Sequence, residues 1–241
     1  REYVQMCMCS QMSNHKAYAA TQGYDYFPVT KPLEQTKGTN LSDVRWHKSF
    51  VVQELLLRYD WVFWSDCDAL FMNFSVPLPI PRATPPSSEI VLPHMIIVGD
   101  NWQAINSGQF LIDNSQWSKN FLSNIHVARV PWNRDRRHNC GSAGKDNPVF
   151  NWLLWGNCSV SSASGSSLAA CQALVNLSLF PSELACSEFN TYPRAYASMS
   201  PEQRTTVFRV HFPGNQLAKV KFVDAFKHLV STDGGPVSAK L

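Results

Sequence analysis

The chain has 241 residues, of which 44% are hydrophobic and 16% charged, and its formal net charge at pH 7 is +3. This length suffices for one large α/β domain or two small ones. The small net charge and the lack of any lysine- or arginine-rich run argue against a nucleic-acid partner. No apolar run reaches the ~20 residues of a transmembrane helix, so we expect membrane attachment only through an anchor preceding Arg1.

The first part of the sequence alternates predicted strands and helices. In chain order these are a strand at 2–9, a helix at 14–24, a strand at 24–30, and a helix from Ser42 or Asp43 to Tyr59. Gly23 is expected to end the first helix. The alternation predicts an α/β fold whose central, mainly parallel sheet is flanked by helices.

The second part continues the pattern after a proline-rich loop. The predicted elements are a loop at 75–88, a strand region at 90–100, a strand, turn and helix at 105–125, a helix at 147–155 and a serine-rich loop at 158–171. No position marks a domain boundary. We therefore predict a single domain over residues 1–241.

Cysteines and glycosylation sequons bear on the compartment. The seven cysteines, an odd number, do not decide it alone. Four sequons begin at Asn40, Asn73, Asn157 and Asn176. Together they favour a secretory lumen, where Cys158 and Cys171 could close a disulfide.

Residues 60–73, "DWVFWSDCDALFMN", are predicted to form a buried strand that carries two acids. Side chains two apart on a strand project to the same side, so Asp66 and Asp68 would present their carboxylates together. Two such carboxylates repel unless a cation lies between them. Mn²⁺ or Mg²⁺ binds oxygen ligands and also accepts phosphate oxygens. The pair therefore predicts a site for a divalent cation and a diphosphate.

Two other interpretations of this motif remain open on the residues alone. An Asp-x-Asp is short and common, and it can be a capping or turn pair without a metal. The haloacid-dehalogenase phosphatases also have Asp-x-Asp after an apolar strand. That family has Thr or Val two residues after the second acid, where this chain has Leu70.

Motifs along most of the chain resemble glycosyltransferase family 34, which includes plant xyloglucan xylosyltransferases and fungal α-galactosyl- and α-mannosyltransferases. In chain order the similar segments are "NHKAYAATQGYDYF", "WHK", "WSDCDA", "INSGQFLIDNSQWSKNFL", "KDNPVFNWLL", "FNTYP" and "HFPGN". They occur in the order typical of the family, between residues 14 and 215. Each motif alone is weak, but the ordered set is specific.

The resemblance implies a GT-A fold, a single Rossmann-like domain, and a retaining sugar transfer that depends on Mn²⁺ (or Mg²⁺). The donor would be a UDP-sugar, with galactose or xylose as the sugar. The acceptor would be a hydroxyl of an oligosaccharide, polysaccharide or glycoprotein. The resemblance also implies the Golgi or another secretory lumen, with the chain as the lumenal domain of a type II membrane protein.

The resemblance also assigns roles to individual residues. The metal ligands would be Asp66, Asp68 and His211, and the catalytic group would comprise Asn106, Asp146 and Asn147. The donor-binding residues would be Cys9, Ser10, Lys48, Ser107, Gly108, Gly214, Gln216 and Lys219. Simpler interpretations exist for several of them: a core histidine for His211, a solvated residue for Lys48 and a helix N-cap for Asp146.

Some positions depart from the family pattern. Gln216 stands where the family has a lysine, although Lys219 follows closely. Asn147 replaces the usual glutamine after the helix aspartate. These departures leave open a second class of function, a sugar- or nucleotide-sugar-binding protein that kept the fold and lost turnover.

Overall fold

The computed structural model describes residue 7 and residues 10–29, 44–81, 92–99, 105–134, 146–155, 177–179 and 198–211. The helices are a π-helix at Ser10–His15, α1 at Lys16–Gln22, a 3₁₀ turn at Val44–Trp46, α2 at His47–Leu55, α3 at Gln116–Arg134, α4 at Asp146–Trp155 and α5 at Pro201–Thr206. The strands are β1 at Trp61–Ser65, β2 at Ala69–Phe71, β3 at Met95–Gly99, β4 at Ile105–Asp113, β5 at Leu177–Leu179 and β6 at Arg209–His211. Within these ranges no helix is long and apolar enough to cross a bilayer.

The chain divides into two compact units, each assembled from separate stretches of sequence. The small-sheet unit comprises residues 1–30, 66–78 and 184–241 and contains β2 and β6. The large-sheet unit comprises residues 31–65 and 79–183 and contains the other four strands. The single domain expected over residues 1–241 stays a prediction.

The sheet of the large-sheet unit has the strand order β1-β4-β3-β5. β4 pairs antiparallel with both β1 and β3, and β3 pairs parallel with β5. The mainly parallel sheet predicted from the alternation is therefore not confirmed by the described strands. A parallel β3–β4 pair would need a crossover of a dozen or more residues, whereas only residues 100–104 connect these two strands.

The core of the large-sheet unit is an apolar cluster between the sheet and three helices. Its strand members are Val62, Met95, Ile97, Ile105, Phe110 and Ile112, and its helical members include Val52, Phe121, Leu122, Ile125, Val149, Phe150 and Leu154. Phe110 of β4 packs against Phe150 of α4 with ring centroids 5.4 Å apart. This packing fixes α2 and α4 on the sheet, and these helices carry Lys48 and Asp146.

The small-sheet unit is built around an antiparallel pair, β2 and β6, in which Ala69 lies opposite His211 and Phe71 opposite Arg209. Tyr18 of α1 stacks on Phe71 with ring centroids 3.8 Å apart. The Asn14 side chain donates to the Phe71 carbonyl at 2.9 Å and accepts from the Phe71 N–H at 2.8 Å. Asn14 thus takes the place of a neighbouring strand for Phe71, and it ties the N-terminal helices to β2.

The predicted helices are confirmed where the structure describes them, but the two N-terminal strands are not. α1 ends at Gly23, whose φ of 72° gives a left-handed cap from which the next N–H, that of Tyr24, bonds the Ala19 carbonyl at 2.9 Å. Residues 24–29, predicted as a strand, form neither helix nor strand. Pro28 has no N–H to donate to a neighbouring strand, which disfavours pairing there. Of the strand predicted at 2–9, only Cys7 is described, and its backbone is helical.

Candidate functional site

The two predicted metal-binding acids lie in a turn. β1 ends at Ser65 and β2 begins at Ala69, so the prediction of one continuous strand is wrong at Asp66 and Asp68. The Ala69 N–H donates to the Asp66 carbonyl at 3.3 Å and closes this turn. The turn leaves Asp66 partly exposed, whereas Asp68 is buried, and burial of an uncompensated carboxylate costs several kcal/mol. We call residues 66–68 the acidic turn.

A disulfide joins the acidic turn to the N-terminal segment. Cys67, between the two acids, is bonded to Cys7, and the two Cα atoms are 4.9 Å apart. The disulfide expected from the sequence, Cys158 to Cys171, lies outside the described residues. The acidic turn is therefore fixed covalently as well as by the strand that follows it.

The predicted third metal ligand lies on the strand beside the acidic turn. His211 is opposite Ala69 in the β2–β6 register, and Ala69 directly follows Asp68. Two carboxylates and an imidazole form a donor set that suits Mn²⁺. The described side chains, which do not include that of His211, contain no group of three potential metal ligands.

Two buried basic residues accompany the acidic turn in the small-sheet unit. Arg209 has no exposed surface, and its guanidinium carbon lies 4.3 Å from the Phe71 ring centroid. Burial lowers the pKa of Arg209 to about 9, although the nearby acidic groups, Tyr18, Asp66 and Asp68, act to raise it. Arg209 is therefore still a cation at neutral pH.

His15 is the second of these residues, and its ring is neutral. Burial lowers the pKa of His15 to about 3, and the positive charge of Arg209 acts in the same direction. The His15 Nε2 lies 2.6 Å from the Ala69 carbonyl oxygen, so the neutral ring donates its proton there. This bond fixes the start of β2 directly after Asp68.

A buried ion pair is the centre of the candidate site in the large-sheet unit. Lys48 Nζ lies 2.7 Å from Asp146 Oδ2, and the two side chains are 3% and 8% exposed. Lys48 also donates to the Ser107 carbonyl at 3.0 Å, and the Ser107 hydroxyl donates to Asp146 Oδ2 at 2.9 Å. The Lys48 ammonium lies 5.9 Å from the Trp64 ring centroid. Lys48 is therefore buried and paired, so its simpler interpretation as a solvated residue on a helix is wrong. We call Lys48, Ser107, Asp146 and Asn147 the lysine–aspartate cluster.

Asparagine side chains join α4 to the start of β4. The Asn147 amide oxygen accepts from the Ser107 N–H at 2.6 Å, and the Asn147 amide nitrogen donates to the Ile105 carbonyl at 3.2 Å. Asn151 is fully buried, accepts from the Ile105 N–H at 3.2 Å, and donates to the Asn147 carbonyl at 2.9 Å. Asn106 bonds locally, with its amide oxygen accepting from the Gly108 N–H at 2.8 Å.

The predicted site residues fall into three sets. The large-sheet unit brings together Lys48, Asn106, Ser107, Gly108, Asp146 and Asn147, and the small-sheet unit contains Asp66, Asp68 and His211. Ser10 begins the π-helix of the small-sheet unit. Cys9, Gly214, Gln216 and Lys219 lie outside the described residues, so their predicted roles are untested.

The sequence prediction missed three buried polar residues beside these sites. Arg209 interrupts the apolar run "VFRVH", and a charged residue in such a run indicates a nearby opposite charge. Asn151 lies one helical turn after Asn147, so the spacing of four residues was a usable signal. His15 had no such signal, because its partner is a backbone carbonyl 54 residues away.

Comparison with known families supports the predicted resemblance. Residues 3–79 match the galactosyl transferase GMA12/MNN10 family, which is glycosyltransferase family 34. The matched segment contains both the Trp46-x-Lys48 motif and the acidic turn. The resemblance is therefore confirmed for the N-terminal third of the chain.

Several plant proteins are similar to part of the chain. Probable glycosyltransferase 3 of Oryza sativa subsp. indica is 35% identical over 83 residues, which are 32% of this chain and 18% of that protein. Xyloglucan 6-xylosyltransferase 4 of Arabidopsis thaliana is 32% identical over 83 residues, 32% of this chain and 16% of that protein. Glycosyltransferase 6 of Arabidopsis thaliana is 30% identical over 115 residues, 45% of this chain and 25% of that protein. The matches span a quarter or less of these relatives' length, and their names support the prediction of a transferase.

A solved structure shares the fold over nearly the whole chain. It is a glycosyltransferase involved in the glycosylation of the major capsid of PBCV-1, with a TM-score of 0.55 and 15% sequence identity. The similarity covers 92% of each chain. The chain therefore has a mixed helix and strand fold also found in a glycosyltransferase.

Proposed function

We propose that this chain is the catalytic domain of a GT-A glycosyltransferase that depends on a divalent cation and retains anomeric configuration. It transfers galactose or xylose from a UDP-sugar to a hydroxyl of a glycan. The lysine–aspartate cluster is the main observation that supports this function. Three motifs far apart in sequence meet there: Lys48 on α2, Ser107 on β4, and Asp146 with Asn147 on α4.

The acidic turn is the proposed metal site. Asp66, Asp68 and His211 would hold Mn²⁺ or Mg²⁺, because two carboxylates and an imidazole suit such an ion and leave positions for phosphate oxygens. The ion, when bound, stabilises negative charge on the leaving diphosphate. The fixed geometry of the turn supports this role, since Cys67 and the Ala69 carbonyl are tied to Cys7 and His15.

The lysine–aspartate cluster supports a positioning role for Asp146. Its Oδ2 atom accepts from both the Lys48 ammonium and the Ser107 hydroxyl, so its charge is already compensated. A carboxylate bound in this way is a poor nucleophile. We therefore prefer attack by the acceptor hydroxyl on the same face as the departing diphosphate, with that diphosphate as the base.

The compartment and partners follow from this function. The Cys7–Cys67 disulfide and the four sequons support a secretory lumen such as the Golgi, where glycans are the available acceptors. We propose an oligosaccharide, polysaccharide or glycoprotein acceptor, and attachment to the membrane through an N-terminal anchor of the type II kind.

A donor panel tests the proposed function. UDP- and GDP-sugars are incubated with the chain, with and without Mn²⁺, and release of the nucleoside diphosphate is measured. We expect Mn²⁺-dependent hydrolysis of UDP-galactose or UDP-xylose in the absence of an acceptor. Binding of glycans or nucleotide sugars by calorimetry, with no turnover of any donor, would instead support the binding protein of the second class.

A further inference from the structure

A disulfide reaches the acidic turn at the position between its two acids. Cys67 lies directly between Asp66 and Asp68, and it is bonded to Cys7, which precedes the π-helix. The bonded cysteines are 60 residues apart in sequence. Both are partly exposed, so a thiol reagent can reach the bond. Neither sulfur has a role in the proposed sugar transfer, and the place of this bond therefore needs another explanation.

Hydrogen bonds join the N-terminal helices to the chain that follows the acidic turn. The His15 ring donates to the Ala69 carbonyl at the start of β2, and the Gln22 side chain donates to the Phe74 carbonyl at 2.6 Å. These bonds hold residues after the turn, whereas the disulfide holds the turn itself at Cys67. The covalent bond is thus placed where it restricts the two acids most directly.

Two carboxylates that share one cation repel each other until that cation is bound. A turn that is free to move lets them separate, and binding of the cation must then order the backbone again, at a cost in conformational entropy. The disulfide restricts this movement in advance, because the Cα atom of Cys67 is held 4.9 Å from that of Cys7. A site that is already fixed in its binding conformation has a higher affinity for its ligand.

We propose that the Cys7–Cys67 disulfide positions Asp66 and Asp68 for the divalent cation, so that the metal affinity of the acidic turn depends on the oxidation state of these cysteines. A dithiol reverses the effect: it passes two electrons and two protons to the bond and becomes a disulfide, while Cys7 and Cys67 become thiols. This role rests on the proposed function, because it assumes that the acidic turn binds a divalent cation. A purely structural disulfide would stabilise the fold without changing the Kd of the folded chain for a metal.

Calorimetric titration of the full chain with Mn²⁺ tests this role, at a temperature where circular dichroism shows that each variant is folded. Cys7→Ala breaks the disulfide and leaves residues 66–68 unchanged. We expect it to raise the Kd for Mn²⁺ about tenfold, the effect of releasing the backbone of about one residue. Gln22→Ala is the matched control, because it removes a hydrogen bond between the same two parts of the chain, and its Kd should equal that of wild type. An unchanged Kd in Cys7→Ala would overturn the role.

Reduction of the wild-type chain provides a second measurement, which needs no variant at the disulfide. Wild type is reduced with dithiothreitol, which is removed under nitrogen before the titration, and its Kd should rise to that of Cys7→Ala. The same treatment of Cys7→Ala should change nothing further, because the bond is already absent. An equal rise on reduction of both chains would place the effect at other cysteines and overturn the role. A reduced chain that circular dichroism shows to be unfolded would also overturn it, because the bond would then support the whole fold.

These titrations separate failure of this role from failure of the proposed function. If oxidised wild type binds no Mn²⁺, the metal site of the proposed function is wrong, and the role of the disulfide is wrong with it. If oxidised wild type binds Mn²⁺ and folded Cys7→Ala binds it equally well, only the role of the disulfide is wrong. A Kd that rises both in Cys7→Ala and on reduction of wild type, but not in Gln22→Ala, is the result that we predict.

Discussion

At the residue scale, the ion pair between Lys48 and Asp146 has the clearest energetic consequence. Lys48→Met leaves the Asp146 carboxylate buried and uncompensated, since the pair is 2.7 Å apart and almost fully enclosed. We expect a loss of about 3 kcal/mol in the free energy of unfolding, measured by urea titration. Adding Asp146→Asn should restore most of it. Lys16→Met, at an exposed position, is the control; equal effects of Lys16→Met and Lys48→Met would contradict this account.

Asp146 also permits a test of the proposed route of retention. Asp146→Asn should lower turnover of the donor about a hundredfold or more. Because it also leaves the Lys48 ammonium buried without a counter-charge, turnover is compared at a temperature where circular dichroism shows that both proteins are folded. Mass spectrometry of the wild-type protein during turnover should find no sugar attached to Asp146. A glycosylated Asp146 peptide would establish the covalent route instead.

His15 makes stability depend on pH. Its pKa is about 3 in the folded chain, below the ordinary 6.5, so the unfolded chain binds the extra proton first. The contribution of neutral His15 to the free energy of unfolding is fully present above pH 6.5. It decreases as the pH falls toward 3, by roughly 1.4 kcal/mol per pH unit. His15→Gln should flatten the slope of unfolding free energy between pH 6 and 4, measured in EDTA. An unchanged slope, as expected for the exposed control Lys16→Gln, would show that His15 is not buried in its neutral form.

At the element scale, the disulfide is the strongest constraint on the acidic turn. Cys7 and Cys67 are 60 residues apart, so removing the bond frees a long loop in the unfolded chain. We expect Cys67→Ser to lower the free energy of unfolding by about 4 kcal/mol. Cys7→Ser should have the same effect, and the double variant no more than either. Unequal or additive losses would indicate that the two cysteines are not bonded to each other.

The helices could be predicted from the sequence because their signals are local. Gly23 indicated the end of α1, and apolar patterns in the sequence indicated α2, α3 and α4. Strand pairing could not be predicted in the same way, because it depends on which distant segments meet. The acidic segment shows the difference: its apolar residues predict strands, yet the break at Asp66 depends on pairing with β4 on one side and β6 on the other.

At the scale of the whole molecule, the resemblance to glycosyltransferase family 34 predicted which residues would lie together. Lys48, Ser107, Asp146 and Asn147 were expected at one site, and they contact each other. His15 was not expected, because its partner is a backbone carbonyl supplied by the fold. Arg209 was not expected either, and its guanidinium lies over the ring of Phe71. A resemblance identifies the motifs that relatives share, and it does not identify buried polar residues whose partners depend on the fold.

We propose above that sugar transfer depends on a divalent cation held at the acidic turn. The most direct measurement is UDP release from the preferred UDP-sugar as a function of Mn²⁺ concentration, for wild type, Asp68→Asn and the control Asp25→Asn, an exposed acid of the same unit. We predict turnover that is abolished by EDTA, restored by Mn²⁺, and reduced at least about a hundredfold in Asp68→Asn alone. Turnover that persists in EDTA, or that is as fast in Asp68→Asn as in Asp25→Asn, would show that the acidic turn holds no cation needed for transfer.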